Sequence, residues 1–197
     1  MSTYCVRSAR YSDYLLNDII GYVDAHYRTI ADKSGRAIGG MSMGGYGALV
    51  NGFHHPEMFV AVASHAGVAS LRYVGPHPFV AGKVQQFDDP EAALKDSPFA
   101  PIVTPIFGLK LADWKANNPV DLVAQLKDGD IAIYLDAGTN DSFAFHDGAA
   151  HLSEVLTSAA IKHEFHLIEG GGHDANFWRS RIDDSLRFFA QYLAPAH

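Results

Sequence analysis

The sequence predicts an α/β protein built on a parallel sheet with helices on its faces. Four short, mostly apolar runs predict strands, and segments with helical spacing lie between them. The runs are 36–41, 58–64, 131–135 and 163–168. Because strand–helix–strand connections return in the same direction with a right-handed crossover, the carboxyl ends of these strands should meet at one edge of the sheet.

The first part of the chain contains two predicted helices. Apolar residues recur at spacings of three and four across 11–28, which is typical of an amphipathic helix. A second helix is predicted over 46–53, after the first strand and a glycine-flanked serine. His55 and Pro56 end it, because the residue before a proline disfavours the α region. The next run, 58–64, is continuously apolar, which favours a strand covered on both faces.

The segment 69–128 differs in character from the rest of the chain. It is rich in Pro and Gly and has short helical candidates at 89–96 and 119–127. We expect one domain, 1–197, in which this segment forms a lid-like insertion over one end of the sheet. Its aromatic residues fit either ordinary packing or the lining of an acyl or aryl pocket. They are Phe79, Phe87, Phe99, Phe107 and Trp114.

Regular structure is predicted to resume in the last third of the chain. The strand 131–135 is followed by a loop and by a helix over 146–160. The strand 163–168 leads through the three glycines at 170–172 to a histidine, and an amphipathic helix follows over 176–193.

Charge and cysteine content exclude several classes of partner. With a formal net charge of −7 and no run of Lys or Arg, the chain lacks a basic patch for nucleic acid or for an anionic membrane. The single cysteine, Cys5, excludes an intrachain disulfide and fits a reducing compartment. We see no export signal and no apolar run of about 18 residues that would span a membrane. A cytoplasmic location is therefore expected.

Residues 40–44, Gly-Met-Ser-Met-Gly, match the pattern G-x-S-x-G. In this pattern a tight turn between a strand and a helix lifts the serine hydroxyl above the sheet. A bare match arises often by chance, so the strand before it and the helix after it carry the prediction. They indicate Ser42 as a nucleophile.

A serine nucleophile needs a base that removes its proton and a carboxylate that orients the base. In hydrolases with this turn, the acid and the histidine follow later strands in the chain order Ser, Asp, His. Asp141 follows the third predicted strand and His173 follows the fourth. Both should therefore lie at the edge of the sheet where Ser42 lies.

These residues also have ordinary structural alternatives. Asp141 suits a turn or a helix cap. Asp136 and Asp147 are competing acids, although the first is close to a strand end and the second falls inside a helix. His163 and His166 lie three apart on a strand and face opposite sides, so they do not form a chelating pair. No metal site and no redox or nucleotide cofactor is expected.

Four segments resemble the esterase D family of the α/β-hydrolase superfamily, which includes S-formylglutathione hydrolases, feruloyl, acetylxylan and tributyrin esterases, and mycolyltransferases. The segments are 40–49, 55–59, 136–143 and 172–178. The resemblance covers nearly the whole chain and is weakest across 70–128. It implies a serine carboxylesterase that hydrolyses short acyl or aryl esters through an acyl-enzyme, with Ser42 as nucleophile, His173 as base and Asp141 as acid.

Members of this family usually carry a longer amino-terminal half, with further strands and a His-Gly loop. That half is not in this sequence. The oxyanion hole takes one backbone N–H from the residue after the serine, here Met43, and another from a loop after an earlier strand. Residues 2–8 or another chain are the candidates for the second donor. An unpaired edge of the strand 36–41 predicts a homo-oligomer or completion of the sheet by another chain.

Three functions remain open at this stage. The first is hydrolysis of a small-molecule ester, and the second is transfer of the acyl group to an alcohol or thiol. The third is a non-catalytic module that keeps the turn only as scaffold, because a fold does not determine a function. The presence of Ser42, Asp141 and His173 favours the two enzymatic functions, and the short amino-terminal part favours the third.

Overall fold

A computed structural model describes residues 11–195 of the chain, so the expectations for Cys5 and for residues 2–8 lie outside the described range. The strands are β1 (Ala37–Met41), β2 (Ala61–His65), β3 (Tyr73–Gly75), β4 (Gln85–Gln86), β5 (Ala132–Gly138) and β6 (Glu164–Ile168). Four of them form a parallel sheet in the order β1-β2-β5-β6, and β3 pairs with β4 in an antiparallel ribbon. The predicted α/β fold with a parallel sheet is confirmed.

Helices connect these strands and cover both faces of the sheet. They are α1 (Tyr11–Asp13), α2 (Ile20–His26), α3 (Met43–His54), α4 (Pro90–Leu94), α5 (Ala100–Phe107), α6 (Leu111–Ala116), α7 (Pro119–Leu122), α8 (Phe145–Ser158) and α9 (Ala175–Ala190). A π-helical segment, Tyr14–Ile19, joins α1 to α2, and short 3-10 turns lie at Lys33–Gly35 and Val123–Gln125.

The larger hydrophobic core lies between the sheet and the helices α3 and α8. Leu49 and Phe53 from α3, Val62 from β2, and Leu152 and Leu156 from α8 are all fully buried there. Full burial of such side chains contributes about 1.5–3 kcal/mol each, so this layer is a main source of stability. It also holds α3, the helix that follows Ser42, against the sheet.

A smaller core lies on the opposite face, beneath α9. Ala61 and Ala63 of β2 point there together with Tyr134 of β5, and Phe188 of α9 packs over them. Small residues in β2 let α9 approach the sheet closely. The alternation of Val62 with these two alanines follows the two-residue period of a strand.

Several predicted bounds are wrong, for identifiable reasons. The third strand continues to Gly138, so Asp136 lies inside β5 rather than at its end. The second strand begins at Ala61, because the chain first turns after His55-Pro56. Helices α5 and α6 were not predicted, since the prolines of this region favour an irregular segment. Pro101 lies in the first turn of α5, where a proline is tolerated.

A buried arginine organises the segment 69–128. Arg72 donates hydrogen bonds to the carbonyl of Phe87 and to the side chains of Gln86, Asp88 and Asp121. One guanidinium group therefore ties several turns of this segment together, which a planar group with five N–H donors does well.

The same segment packs beside the start of α3. The ring of Phe107 meets the ring of Tyr46 edge to face, with centroids 6.1 Å apart, and the hydroxyl of Tyr46 donates to the carbonyl of Asn117. Phe87 and Trp114 pack with Phe107 in a local cluster. These aromatic residues serve packing, and the segment lies next to the helix that follows Ser42.

The outer edge of β1 has no partner strand within residues 11–195. The homo-oligomer or additional strand expected from this open edge stays a prediction. None of the helices in the same range is both long and apolar enough to cross a bilayer.

Candidate active site

Ser42 lies in a strained turn between β1 and α3. Its backbone angles, φ 54° and ψ −118°, lie in a region that residues other than glycine rarely adopt. Its N–H donates to the carbonyl of His65 on β2 at 2.9 Å, and its own carbonyl accepts from Tyr46 N–H. A β-carbon on Gly40 would lie 2.5 Å from the carbonyl carbon of Gly44, so this close approach requires glycine.

The structure brings Ser42, His173 and Asp141 together. The Oγ of Ser42 lies 2.8 Å from Nε2 of His173, and Nδ1 of His173 lies 2.9 Å from Oδ2 of Asp141. With an ionised carboxylate, Nδ1–H donates to Asp141, and the serine hydroxyl then donates to Nε2. The His173 side chain is 9% exposed and that of Asp141 is fully buried. The three residues form one hydrogen-bonded line that opens towards solvent at Ser42.

The loops that carry Asp141 and His173 are joined directly to each other. Asn140 N–H donates to the carbonyl of Gly171 at 2.8 Å, and Gly170 N–H donates to the hydroxyl of Thr139. Gly170 has a φ of +73°, a conformation that glycine adopts without strain. The relative position of the acid and the histidine is therefore set by contacts between the two loops.

Asp141 serves its own turn as well as facing the histidine. Its Oδ1 accepts the N–H of Phe143 at 2.8 Å, while Oδ2 faces His173. Asp141 can therefore stabilise its own turn and also act as the acidic partner of His173, because its two oxygens have different partners. The turn hydrogen bond also restricts rotation of the carboxylate.

Two stacked phenylalanines pack against the imidazole of His173. Phe143 and Phe145 both meet it edge to face, with centroid distances of 4.9 and 5.3 Å. Phe143 is half exposed and also contacts Phe99, which is exposed to a similar degree. The sequence reasoning missed Phe143 and Phe145. Their position just after Asp141 was the signal that could have found them.

Met43 is the first residue of α3 and is largely exposed. The first N–H groups of a helix have no acceptor within the helix, and they carry partial positive charge. The N–H of Met43 is one of these groups, and Met43 directly follows Ser42 in the chain.

The competing acids have other partners. Asp136 faces His65 on β2, with 2.8 Å between the carboxylate and Nδ1. Asp147 faces His77, with 2.5 Å between the carboxylate and Nδ1. Neither is paired with His173.

The remaining histidines make local contacts. His163 bonds to Ser153 on α8, whereas His166 lies against Tyr134 beneath α9, so the two face opposite sides as predicted. Within residues 11–195 no three His, Cys, Asp or Glu side chains are grouped so as to hold a metal ion.

Comparison with known proteins agrees with the motifs. Residues 3–189 match the family described as "Putative esterase". The chain belongs to this esterase family. Esterase Rv1288 of Mycobacterium tuberculosis is 31% identical over 166 residues, which cover 78% of this chain and 34% of that protein. The chain thus spans about a third of the length of this curated relative.

Solved structures of two hydrolases share the fold. S-formylglutathione hydrolase from Agrobacterium tumefaciens superposes with a TM-score of 0.69 at 22% identity, covering 92% of this chain and 57% of the other. FphF, a fluorophosphonate-binding serine hydrolase of Staphylococcus aureus, gives 0.71 at 17% identity, covering 94% and 65%. These likenesses confirm the predicted α/β-hydrolase fold. The family match and the curated relative confirm the resemblance to this group of esterases.

Proposed function

We propose that this chain is a serine carboxylesterase that cleaves short acyl or aryl esters through an acyl-enzyme. Ser42 is the nucleophile, His173 the general base and Asp141 its acidic partner. The observation that supports the proposal is the hydrogen-bonded line from the Ser42 hydroxyl through His173 to Asp141. Membership of the esterase family supports the choice of an ester as substrate.

In the first half of the reaction, Ser42 Oγ attacks the ester carbonyl carbon while Nε2 of His173 takes the hydroxyl proton. The imidazolium that forms is stabilised by the ionised Asp141. The carbonyl oxygen becomes negative and meets the N–H of Met43. When the tetrahedral intermediate collapses, His173 gives its proton to the leaving alcohol, and the acyl group stays on Ser42.

In the second half, water replaces the alcohol. His173 takes a proton from the water, the oxygen adds to the acyl carbon, and the Ser42–acyl bond breaks. Ser42 recovers its proton from His173, and the carboxylic acid leaves. An alcohol or thiol in place of water would complete an acyl transfer by the same steps.

The aromatic residues beside His173 support an apolar or aryl part in the substrate. Phe143 and Phe99 are both half exposed. Adjacent exposed apolar side chains often mark a surface that binds an apolar group. Since Phe143 touches the imidazole that bonds to Ser42, a group bound to the ester carbonyl would lie near these rings. Aromatic and alkyl groups gain from such contact.

The proposal is tested with p-nitrophenyl esters and with a fluorophosphonate probe. We expect turnover and covalent labelling of the wild type, and loss of both in Ser42→Ala. Ser158→Ala, at the exposed end of α8, is the matched control and should behave as wild type. A folded wild type that is neither labelled nor active would contradict the proposal and favour the non-catalytic module. Product analysis with an added alcohol separates hydrolysis from acyl transfer.

A further inference from the structure

A second Ser-His-Asp group lies in the interior, beneath α9. Nδ1 of His65 lies 2.8 Å from Oδ2 of Asp136, and Nε2 lies 2.9 Å from Oγ of Ser185. All three residues are at least 95% buried. No substrate reaches a serine enclosed in this way, so the group is not a second active site. Its polar atoms instead join β2, β5 and α9.

Two further residues complete this cluster. The hydroxyl of Tyr134 donates to Oδ2 of Asp136 at 3.0 Å, and Arg181 donates both to this carboxylate and to the Tyr134 oxygen. Burial lowers the pKa of Arg181, but its hydrogen bonds to Tyr134 and Asp136 outweigh that effect and raise the pKa. The guanidinium therefore balances the buried carboxylate. Hydrogen bonds to charged groups are strong, so they hold Asp136 firmly.

The cluster is connected to Ser42 through one backbone carbonyl. His65 O accepts the N–H of Ser42 at 2.9 Å, and the next residue, Ala66, donates its N–H to the carbonyl of Asp136 at 2.7 Å. The end of β2 is thus held to β5 by both side chain and main chain. This end of β2 provides the carbonyl, that of His65, which accepts the hydrogen bond from the turn at Ser42.

The turn at Ser42 needs such support because its backbone is strained. A conformation with φ 54° and ψ −118° persists only where surrounding contacts enforce it. Within residues 11–195, β2 is the sole strand paired with β1, so lateral support from the sheet comes from β2 alone. A shift of the His65 carbonyl would therefore move Ser42 directly.

We propose that His65 is a positioning residue for the nucleophile. Its ring, held by Asp136 and Ser185, fixes the carbonyl that binds Ser42 N–H, and this keeps Ser42 Oγ in line with His173. His65 touches neither substrate nor reacting atoms. The proposal rests on the role of Ser42 stated under Proposed function. A displacement of about 1 Å at a reacting atom can cost on the order of a hundredfold in rate.

The test compares His65→Leu with His65→Asn. In His65→Leu the ring bonds are lost, and we expect kcat on a p-nitrophenyl ester to fall about tenfold or more while KM changes less than about twofold. Fluorophosphonate labelling should slow in parallel. The amide of asparagine can still donate to Asp136 from near the position of Nδ1, so His65→Asn should recover much of kcat.

A control separates positioning from general stability. Leu156→Ala leaves a cavity in the other core, on the α8 side, and should lower Tm while keeping wild-type kcat well below Tm. Wild-type kcat in His65→Leu, or an equal loss of kcat in Leu156→Ala at equal loss of Tm, would overturn the proposal.

Two further outcomes are distinguishable. Where His65→Leu fails to fold, Ser185→Ala decides. It removes the bond to Nε2 of His65 together with a bond to the carbonyl of Ile182 inside α9, and it leaves the bond from Nδ1 to Asp136 in place. We expect a smaller fall in kcat, whereas an unchanged kcat overturns the proposal. Activity retained in Ser42→Ala would contradict the nucleophile itself, and the role of His65 would fall with it. An inactive Ser42→Ala beside a fully active His65→Leu would contradict the positioning role alone.

Discussion

Gly138, the last residue of β5 before the loop that carries Asp141, touches Gly171 in the loop that carries His173. A β-carbon built on Gly138 would lie 2.1 Å from the carbonyl oxygen of Gly171, far inside contact distance, and the three nearest atoms are all backbone atoms of Gly171, which cannot rotate away as a side chain could. The separation of the acid from the histidine thus depends on the absence of a side chain at residue 138.

Gly138→Ala should consequently push the two loops apart. We expect a fall in kcat of about tenfold or more, because Asp141 and His173 move relative to each other, together with a lower Tm. Gly21→Ala is the control: no atom lies within 4 Å of a β-carbon built there, so this helical position should lose no activity. Its stability should rise by up to about 1 kcal/mol. Full activity of Gly138→Ala would show that the contact is dispensable.

Substitution of Asp141 and of Asp147 distinguishes the roles of these two acids. Asp141→Asn keeps the shape of the side chain but removes the charge that orients His173, so kcat should fall by about three to four orders of magnitude. Asp147→Asn serves as the comparison, because Asp147 is equally enclosed but faces His77. It should lower Tm and leave kcat nearly unchanged. If the two variants lost the same share of kcat, the assignment of Asp141 would be wrong.

Met43→Pro tests the oxyanion donor. Proline removes the backbone N–H and is tolerated at the first position of a helix, so the fold should survive. We expect kcat to fall by about 100-fold or more with little change in KM, since the missing hydrogen bond forms chiefly in the transition state. Met43→Ala keeps the N–H and should remain close to wild type. Circular dichroism checks that both variants are folded.

Phe143→Ala tests the apolar side of the substrate site. Removal of this half-exposed ring should raise KM for an aryl or butyryl ester by about fivefold, which corresponds to about 1 kcal/mol of lost contact. KM for an acetyl ester of a small alcohol should change less. Equal effects on both substrates would mean that Phe143 acts on His173 rather than on the substrate.

The protein should lose stability in mild acid through His151. Burial lowers the pKa of His151, and the hydroxyl of Ser70, 3.0 Å from Nδ1, can donate to the neutral ring. Below the ordinary value of 6.5 the unfolded chain binds a proton that the folded protein resists. The contribution of the neutral His151 ring to the free energy of unfolding is therefore complete above pH 6.5 and is lost as the pH falls below this value.

His151→Gln keeps an acceptor for Ser70 but does not titrate. Its Tm should decline less steeply than that of the wild type between pH 6.5 and about pH 5, as measured by calorimetry. Parallel curves for the two proteins would remove His151 as the cause. The activity of the wild type and of His151→Gln should be compared at pH 7.5, where His151 of the wild type is neutral in both the folded and the unfolded chain.

Local patterns predicted much of the fold and the candidate site. The residues after a strand are recognisable from the apolar run that precedes them, and parallel strands end at a common edge. This reasoning predicts that Ser42, Asp141 and His173 lie together at one edge of the sheet, and their side chains are within hydrogen-bonding distance in the structure. The same reasoning does not predict α5 and α6. The prolines of this region indicate irregular structure, and these short helices are stabilised by packing rather than by the helix propensity of their residues.

The cluster around His65 lay beyond such reasoning. Its members, Asp136 and Ser185, are 71 and 120 positions from His65 along the chain. Their contact depends on the register of β2 with β5, in which His65 and Asp136 are direct partners, and on the angle at which α9 crosses the sheet. No spacing within one segment encodes either quantity.

The amino-acid sequence by itself determined the alternation of strands and helices, the glycine-lined turn at Ser42 and the chain order of serine, acid and histidine, because these depend on residue periods and backbone freedom within short stretches. Only the tertiary structure decided which carboxylate meets which histidine. Asp136, Asp141 and Asp147 lie within one short stretch, and strand register and loop contacts direct them to His65, His173 and His77. Hydrogen bonds reach only about 3 Å, so such pairings are settled by packing.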